Sequence, residues 1–335
     1  MLRYLWFLAL VLALVIGGGR VFASEYKRVP GPFAVDTALG EWRDEAREGR
    51  VVPYKIYYAR DVGGAAPVVI FSHGLGGSRE GGAYLGEHLA SYGYVAVHIQ
   101  HPGTDSQIWD DGISLSAARE GAMDVESARN RFLDIPFVID ALEAMNAKGA
   151  FKGRFDLDHI GMSGHSYGAV STMVAAGQKM GGLRLRSYAE ERIDAAIAYS
   201  PSPAGGNLRA PNLDRLVRHY DDIRVPIFHM TGTEDGSPLR DMDPEERQLP
   251  FKTIDTVDQY LLVLDGGDHM VFNGERVRGP ERDTDARHHD LIRMASIAFW
   301  DAELMDDAEA RAWLDEGGFT QELGDDGTFE VKKAR

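Results

Sequence analysis

Three residues carry the chemistry open to this sequence. Ser166 lies in Gly164-His165-Ser166-Tyr167-Gly168, Asp235 ends Thr233-Glu234-Asp235, and His269 ends Gly267-Asp268-His269. A serine hydroxyl is a poor nucleophile until a base takes its proton, and an imidazole serves as that base when a carboxylate orients it and stabilises its charged form. The set predicts acyl transfer: Ser166 attacks, His269 accepts and later returns the proton, and Asp235 holds the ring. Glu234 and Asp268 stand next to these positions and remain open as the acid. If His269 is the base, activity rises with pH as the ring loses its proton.

A tetrahedral oxyanion needs two converging donors. The backbone N–H groups of Tyr167 and Leu75 are the candidates, the second in His73-Gly74-Leu75-Gly76-Gly77, where the absence of side chains lets backbone approach a substrate. Gly74 and Trp109 are expected to line the substrate site. His165 reads as a packing residue, and His288 and His289, at the head of a helix, read as surface. The proposed chemistry calls for no metal and no cofactor, and the glycine loop lacks the lysine of a phosphate-binding loop.

Elements of a parallel sheet must bring these loops together. Apolar runs that end in turn residues recur at 68–73, 94–99, 159–163, 195–200, 225–230 and 260–264, and helix-period stretches separate them at 79–92, 128–146, 166–176 and 291–304. That rhythm predicts an α/β fold with a mostly parallel central sheet and helices on both faces, led by an antiparallel hairpin or meander at 34–39 and 51–60. In such a sheet the loops at the carboxyl ends of the strands share one edge, and the glycine loop, the Ser166 turn, the Asp235 loop and the His269 loop all follow strands. A G-x-S-x-G between a strand and a small-residue helix is the setting of a nucleophile elbow, and the order Ser, Asp, His is the one that such folds use.

Composition bounds the partners. The chain has 335 residues, 44% hydrophobic and 26% charged, with a formal net charge of −16 that disfavours nucleic acid and anionic membrane surfaces. It has no cysteine, so disulfides, thiolate metal sites and a cysteine nucleophile are excluded. Residues 1–23 read as a signal peptide: Arg3, then an apolar run from Tyr4 to Ile16, then small residues before Ser24. The expectation is export to the periplasm or beyond with no stable membrane insertion after cleavage, an uncleaved N-terminal anchor being the alternative. Residues 24–335 read as one catalytic domain.

At its motifs the chain resembles the α/β-hydrolase group of platelet-activating-factor acetylhydrolase-like enzymes and the proteins labelled predicted dienelactone hydrolases. The resemblance runs through GPFAV at 31–35, FSHGLGGSREG at 71–81, DLDHIGMSGHSYGA at 156–169, TGTEDGSP at 231–238, GGDHMVF at 266–272 and the closing FWDAELMDDAEARAWL at 299–314. Bacterial polyester hydrolases related to cutinase are similar more distantly. True dienelactone hydrolases use a cysteine nucleophile, which this chain lacks, so the resemblance implies a serine esterase with Ser166, Asp235 and His269 as triad and Leu75 and Tyr167 as oxyanion donors.

The expected reaction is hydrolysis of short acyl, acetyl-type carboxylic esters through an acyl-enzyme. The alternatives are an interfacial lipase or cutinase-like hydrolase of lipid or polymer esters, and a non-catalytic binding protein on the same fold. Two stretches, 102–125 and 201–224, are expected to cover the Ser166 turn, and neither is long enough for a large cap domain.

Overall fold

The computed structural model describes residues 25–109, 124–205, 213–237, 242–274, 276 and 280–335. The expected leader at 1–23 lies outside these residues, as do 110–123 and 206–212 of the two covering stretches. Among the described residues no helix is long and apolar enough to cross a membrane.

Among the described residues nine strands form one sheet: β1 (Val35–Asp44), β2 (Arg50–Ala59), β3 (Ala66–Ser72), β4 (Val95–Ile99), β5 (Phe155–His165), β8 (Ala195–Tyr199), β9 (Ile227–Glu234), β10 (Gln259–Asp268) and β11 (Gly327–Lys332). A separate two-residue pair, β6 (Met180–Gly181) and β7 (Leu185–Arg186), stands off the sheet. The sheet order is β1-β2-β4-β3-β5-β8-β9-β10-β11. The run from β4 to β10 is parallel, and the edges β1-β2-β4 and β10-β11 are antiparallel. This is the expected α/β-hydrolase architecture, a central sheet between two helical layers.

The central strands are apolar in unbroken runs because both faces are covered. Along β3, Val69 and Phe71 join one core while Val68 and Ile70 join the other; along β8, Ala195, Ile197 and Tyr199 face away from Ala196 and Ala198. The first face is covered by α1 (Ala83–Ser91) and, late in the chain, by a helix at Asp285–Leu304, with shorter helices at Ala308–Asp315 and Gly318–Leu323 packed beside it. The second is covered by α2 (Val125–Ala147) and α3 (Tyr167–Ala175), followed by α4 (Leu213–Tyr220) and α5 (Leu249–Thr253). In the same order the three late helices are α6, α7 and α8.

Two expectations need correction. The helix expected from Leu291 starts at Asp285, so His288 and His289 lie within its first turns rather than on an open head. His288 is buried, and His289 donates from Nε2 to the Val271 carbonyl at 3.0 Å with its ring against Tyr84. The closing strand β11 was not expected, although Thr-Phe-Glu-Val-Lys alternates polar and apolar residues as a short edge strand does.

Candidate active site

The turn at Ser166 is built from β5, which ends at His165, and α3, which starts at Tyr167. Between them Ser166 adopts φ 58° and ψ −112°, left-handed backbone that costs a non-glycine residue on the order of 1–3 kcal/mol. Space explains the flanking glycines. A Cβ on Gly164 would fall 2.4 Å from the Gly168 carbonyl oxygen, and one on Gly168 would fall 1.8 Å from that of Ser72. The helix therefore closes directly onto the strands, and its first N–H groups point toward the Ser166 turn.

His269 follows β10, whose pairing with β9 shifts register between Leu264 and Asp268. Such an irregularity bends the strand end and re-aims the residues beyond it. Here it delivers the imidazole to the serine: the Ser166 hydroxyl lies 2.9 Å from His269 Nε2. On the other side of the ring, Nδ1 lies 2.8 Å from Oδ1 of Asp235, which stands just past β9 and is fully buried. Thr231 donates its hydroxyl to the second oxygen, Oδ2, at 2.8 Å.

The rival carboxylates are occupied elsewhere. Asp268 pairs with Arg276 at 2.7 Å and Arg282 at 3.0 Å and accepts the Met270 and Val271 backbone N–H groups. Glu234 is exposed and pairs with Arg282 at 2.7 Å. His165 does pack beneath the site: it donates from Nε2 to the His269 carbonyl at 2.8 Å, so it buttresses the loop that carries the imidazole. Burial, then the neighbouring His269, pushes the His165 pKa well below the ordinary range, which keeps it neutral.

The glycine loop lies against the same serine. A Cβ on Gly74 would be 3.3 Å from Ser166 Cβ, which puts the glycine loop at Gly74 against the Ser166 turn. Trp109 lies on this loop, its indole N–H donating to the Gly76 carbonyl at 2.9 Å. Its ring occupies the space a Cβ on Gly76 would need, at 2.4 Å.

Two buried arginines were not anticipated. Arg131 of α2 donates to Ser171 (2.8 Å), Thr104 (2.8 Å), Ser72 (3.0 Å) and the His73 carbonyl, with its guanidinium 4.6 Å from the Tyr167 ring centre. It ties the glycine loop to α3; burial lowers its pKa to about 10, which leaves it charged at neutral pH. Arg247 donates from Nε to the Asp235 carbonyl at 2.6 Å and lies 2.8 Å from Asp235 Oδ1. Neither position has a sequence signal, since an arginine in a helix or a charged turn ordinarily reads as solvated surface. Among the described residues no group of three or more His, Asp or Glu is placed to hold a metal ion.

Comparison with known proteins gives two likenesses. The sequence model of the family described as platelet-activating factor acetylhydrolase, isoform II, matches residues 36–111, which takes in the glycine loop and Trp109 but ends before Ser166. The chain is also 24% identical over 220 residues to Cutinase est2 of Thermobifida alba, a stretch that is 65% of this chain and 57% of the cutinase, so the match spans little more than half of that relative. The sheet, read with the two likenesses, is that of an α/β-hydrolase fold.

Proposed function

We propose that the protein is a serine carboxylic-ester hydrolase for short acyl esters, with Ser166, His269 and Asp235 as its triad. The continuous arrangement Ser166 Oγ to His269 Nε2 to Asp235, at 2.9 and 2.8 Å on a strained strand-to-helix turn, carries this reading. As Ser166 attacks the ester carbonyl carbon, His269 Nε2 takes the hydroxyl proton and the carbonyl electrons move onto oxygen. The Leu75 and Tyr167 N–H groups stabilise that oxyanion, one from the glycine loop and one from the start of α3. Collapse breaks the bond to the alkoxy group, which leaves as alcohol with the proton from His269. Water, activated by the same ring, then releases the acid and restores Ser166.

Asp235 serves this cycle by holding Nδ1–H, which leaves Nε2 free to accept, and by stabilising the imidazolium between the two proton transfers. Tests of the reading are hydrolysis of p-nitrophenyl acetate and labelling by a fluorophosphonate, which needs an activated oxygen. Wild type should do both and Ser166→Ala neither; an alanine variant that hydrolyses the ester as wild type does ends the proposal. The likeness to a cutinase favours a second reading, cleavage of a polymer or lipid ester, and faster turnover of a polyester film or long-chain esters than of the acetate would select it.

A further inference from the structure

Arg247 lies in a short 3-10 turn, Pro244–Gln248, among solvated neighbours, yet its own side chain is 1% exposed. Its guanidinium reaches across three segments. Nη1 donates to the carbonyls of Ser200 (2.8 Å) and Pro201 (3.2 Å), past the end of β8. Nε serves Asp235, and Nη2 lies 3.3 Å from the Gly236 carbonyl and 3.0 Å from His269 Nδ1. Ser200 is itself held at φ 55°, a second left-handed non-glycine residue beside the site. Burying an arginine and straining a serine both cost free energy, and both occur where the acid loop meets the β8 loop.

The contact with Nδ1 is chemically informative. Arginine has no acceptor, so Nη2 can hydrogen-bond to Nδ1 only when that nitrogen is bare, with the ring proton on Nε2. That tautomer cannot accept the Ser166 proton. Asp235 Oδ1, at 2.8 Å, favours the opposite tautomer through a charge-assisted bond and puts the proton on Nδ1. With the proton there, the guanidinium is a cation placed beside the ring, and it opposes the imidazolium that the carboxylate favours.

We propose that Arg247 is a positioning residue of the acyl-transfer site, fastening Asp235 to the β8 loop and setting a cation against the ring of His269 to moderate the pull of that carboxylate. The inference rests on the triad reading above. Other charged or titratable groups at the ring are accounted for. His165, from the Ser166 turn, is kept neutral by burial. Asp268, on the ring's own strand, is turned to Arg276 and Arg282. Asp235 and Arg247 remain as the opposed pair.

The test is the pH profile of kcat/KM for p-nitrophenyl acetate with Arg247→Met, Arg247→Gln and Arg247→Lys. Loss of the cation leaves the carboxylate unopposed, so the neutral variants should move the acid limb upward by about 0.5 to 1 pH unit. They should lower kcat about tenfold with KM within about twofold, because only the loop and ring are disturbed. Lysine keeps the charge but cannot bridge Asp235 to Ser200 and Pro201, so its acid limb should stay in place while kcat falls about tenfold. A folded neutral variant whose limb does not move overturns the proposal, whatever its kcat, since a scaffold role alone would not displace titration. Should neither neutral variant fold, a lysine variant with wild-type kcat overturns it instead. An active Ser166→Ala enzyme would sink the triad reading, whereas a dead one with unmoved limbs in the Arg247 series would sink only this inference.

Discussion

Among the described residues two Ser–His–Asp arrangements share the same dimensions. At the site, Ser166 Oγ is 2.9 Å from His269 Nε2 and Nδ1 is 2.8 Å from Asp235. Beneath the glycine loop, Ser72 Oγ is 2.9 Å from His101 Nε2 and Nδ1 is 2.8 Å from Asp134. Interatomic distance therefore does not single out a nucleophile. The surroundings of the two serines differ. Ser72, His101 and Asp134 are fully buried, so no ester can reach the hydroxyl, and Ser72 also accepts a hydrogen bond from Arg131. Burial, then the charge of Arg131, lowers the His101 pKa to about 4, so it is a weak base. Asp134 divides its carboxylate among His101 and two arginines, Arg50 and Arg47, whereas Asp235 has one arginine, the Thr231 hydroxyl and the imidazole. Ser72 ends a strand, while Ser166 sits in strained backbone where a helix begins.

The sharpest division between the two sets is at their serines. Ser166→Ala should reduce kcat for p-nitrophenyl acetate by about 10⁴-fold or more while leaving urea unfolding near wild type. Ser72→Ala should do the reverse: kcat within about tenfold of wild type, and stability lower by about 1–3 kcal/mol because His101 and Arg131 each lose a buried partner. Intact-mass analysis after fluorophosphonate treatment should find one adduct, on the peptide with Ser166. A folded Ser72→Ala enzyme that is inactive would erase the distinction.

The acids extend it. Asp235→Asn should lower kcat by about 10⁴-fold, because an amide favours the tautomer with the proton on Nε2. Asp134→Asn should instead act on folding, with a loss of about 1–3 kcal/mol, because the half-buried Arg50 loses its carboxylate while Arg47 keeps only that of Asp44. Although burial alone would raise it, hydrogen bonds from Arg50 and His101 hold the Asp134 carboxyl below its ordinary range. A carboxyl depressed in the folded state contributes stability above its unfolded pKa, about 3.9, and loses it as pH falls toward the folded value. Urea midpoints between about pH 5 and 2 should therefore fall more steeply for wild type than for Asp134→Asn. Equal slopes would deny Asp134 that role.

Much of this arrangement is legible in the amino-acid sequence, for physical reasons. The parallel strands announce themselves because two-sided burial demands unbroken apolar runs, and the Ser166 turn because two glycines and a strand have no steric substitute there. His269 and Asp235 are legible through chain order. The start of α6 is not, since Asp285-Ala-Arg-His-His-Asp hides two turns of helix behind polar side chains, and the two histidines read as surface along with it. Arg247, Arg131 and the Ser72 set are invisible for a related reason. Their partners come from distant elements, and a polar residue's burial is a property of the packing, not of its neighbours in sequence.

The smallest effects test the acid assignment itself. Asp268 precedes His269 and Glu234 precedes Asp235, so sequence alone does not separate them. In the structure Asp268 is doubly ion-paired and accepts the Met270 and Val271 N–H groups, which orders the turn after His269, and its loss should cost about threefold to tenfold in kcat through a looser loop. Glu234 makes an exposed pair with Arg282, a contact worth about 0–1 kcal/mol, so Glu234→Gln should leave kcat and stability near wild type. Rates for Asp268→Asn and Glu234→Gln, set beside Asp235→Asn in one assay, rank the three carboxylates. Were Asp268→Asn to fall as far as Asp235→Asn with the fold intact, the ring of His269 would depend on two carboxylates, and its contrast with His101, held by Asp134 alone, would change its basis.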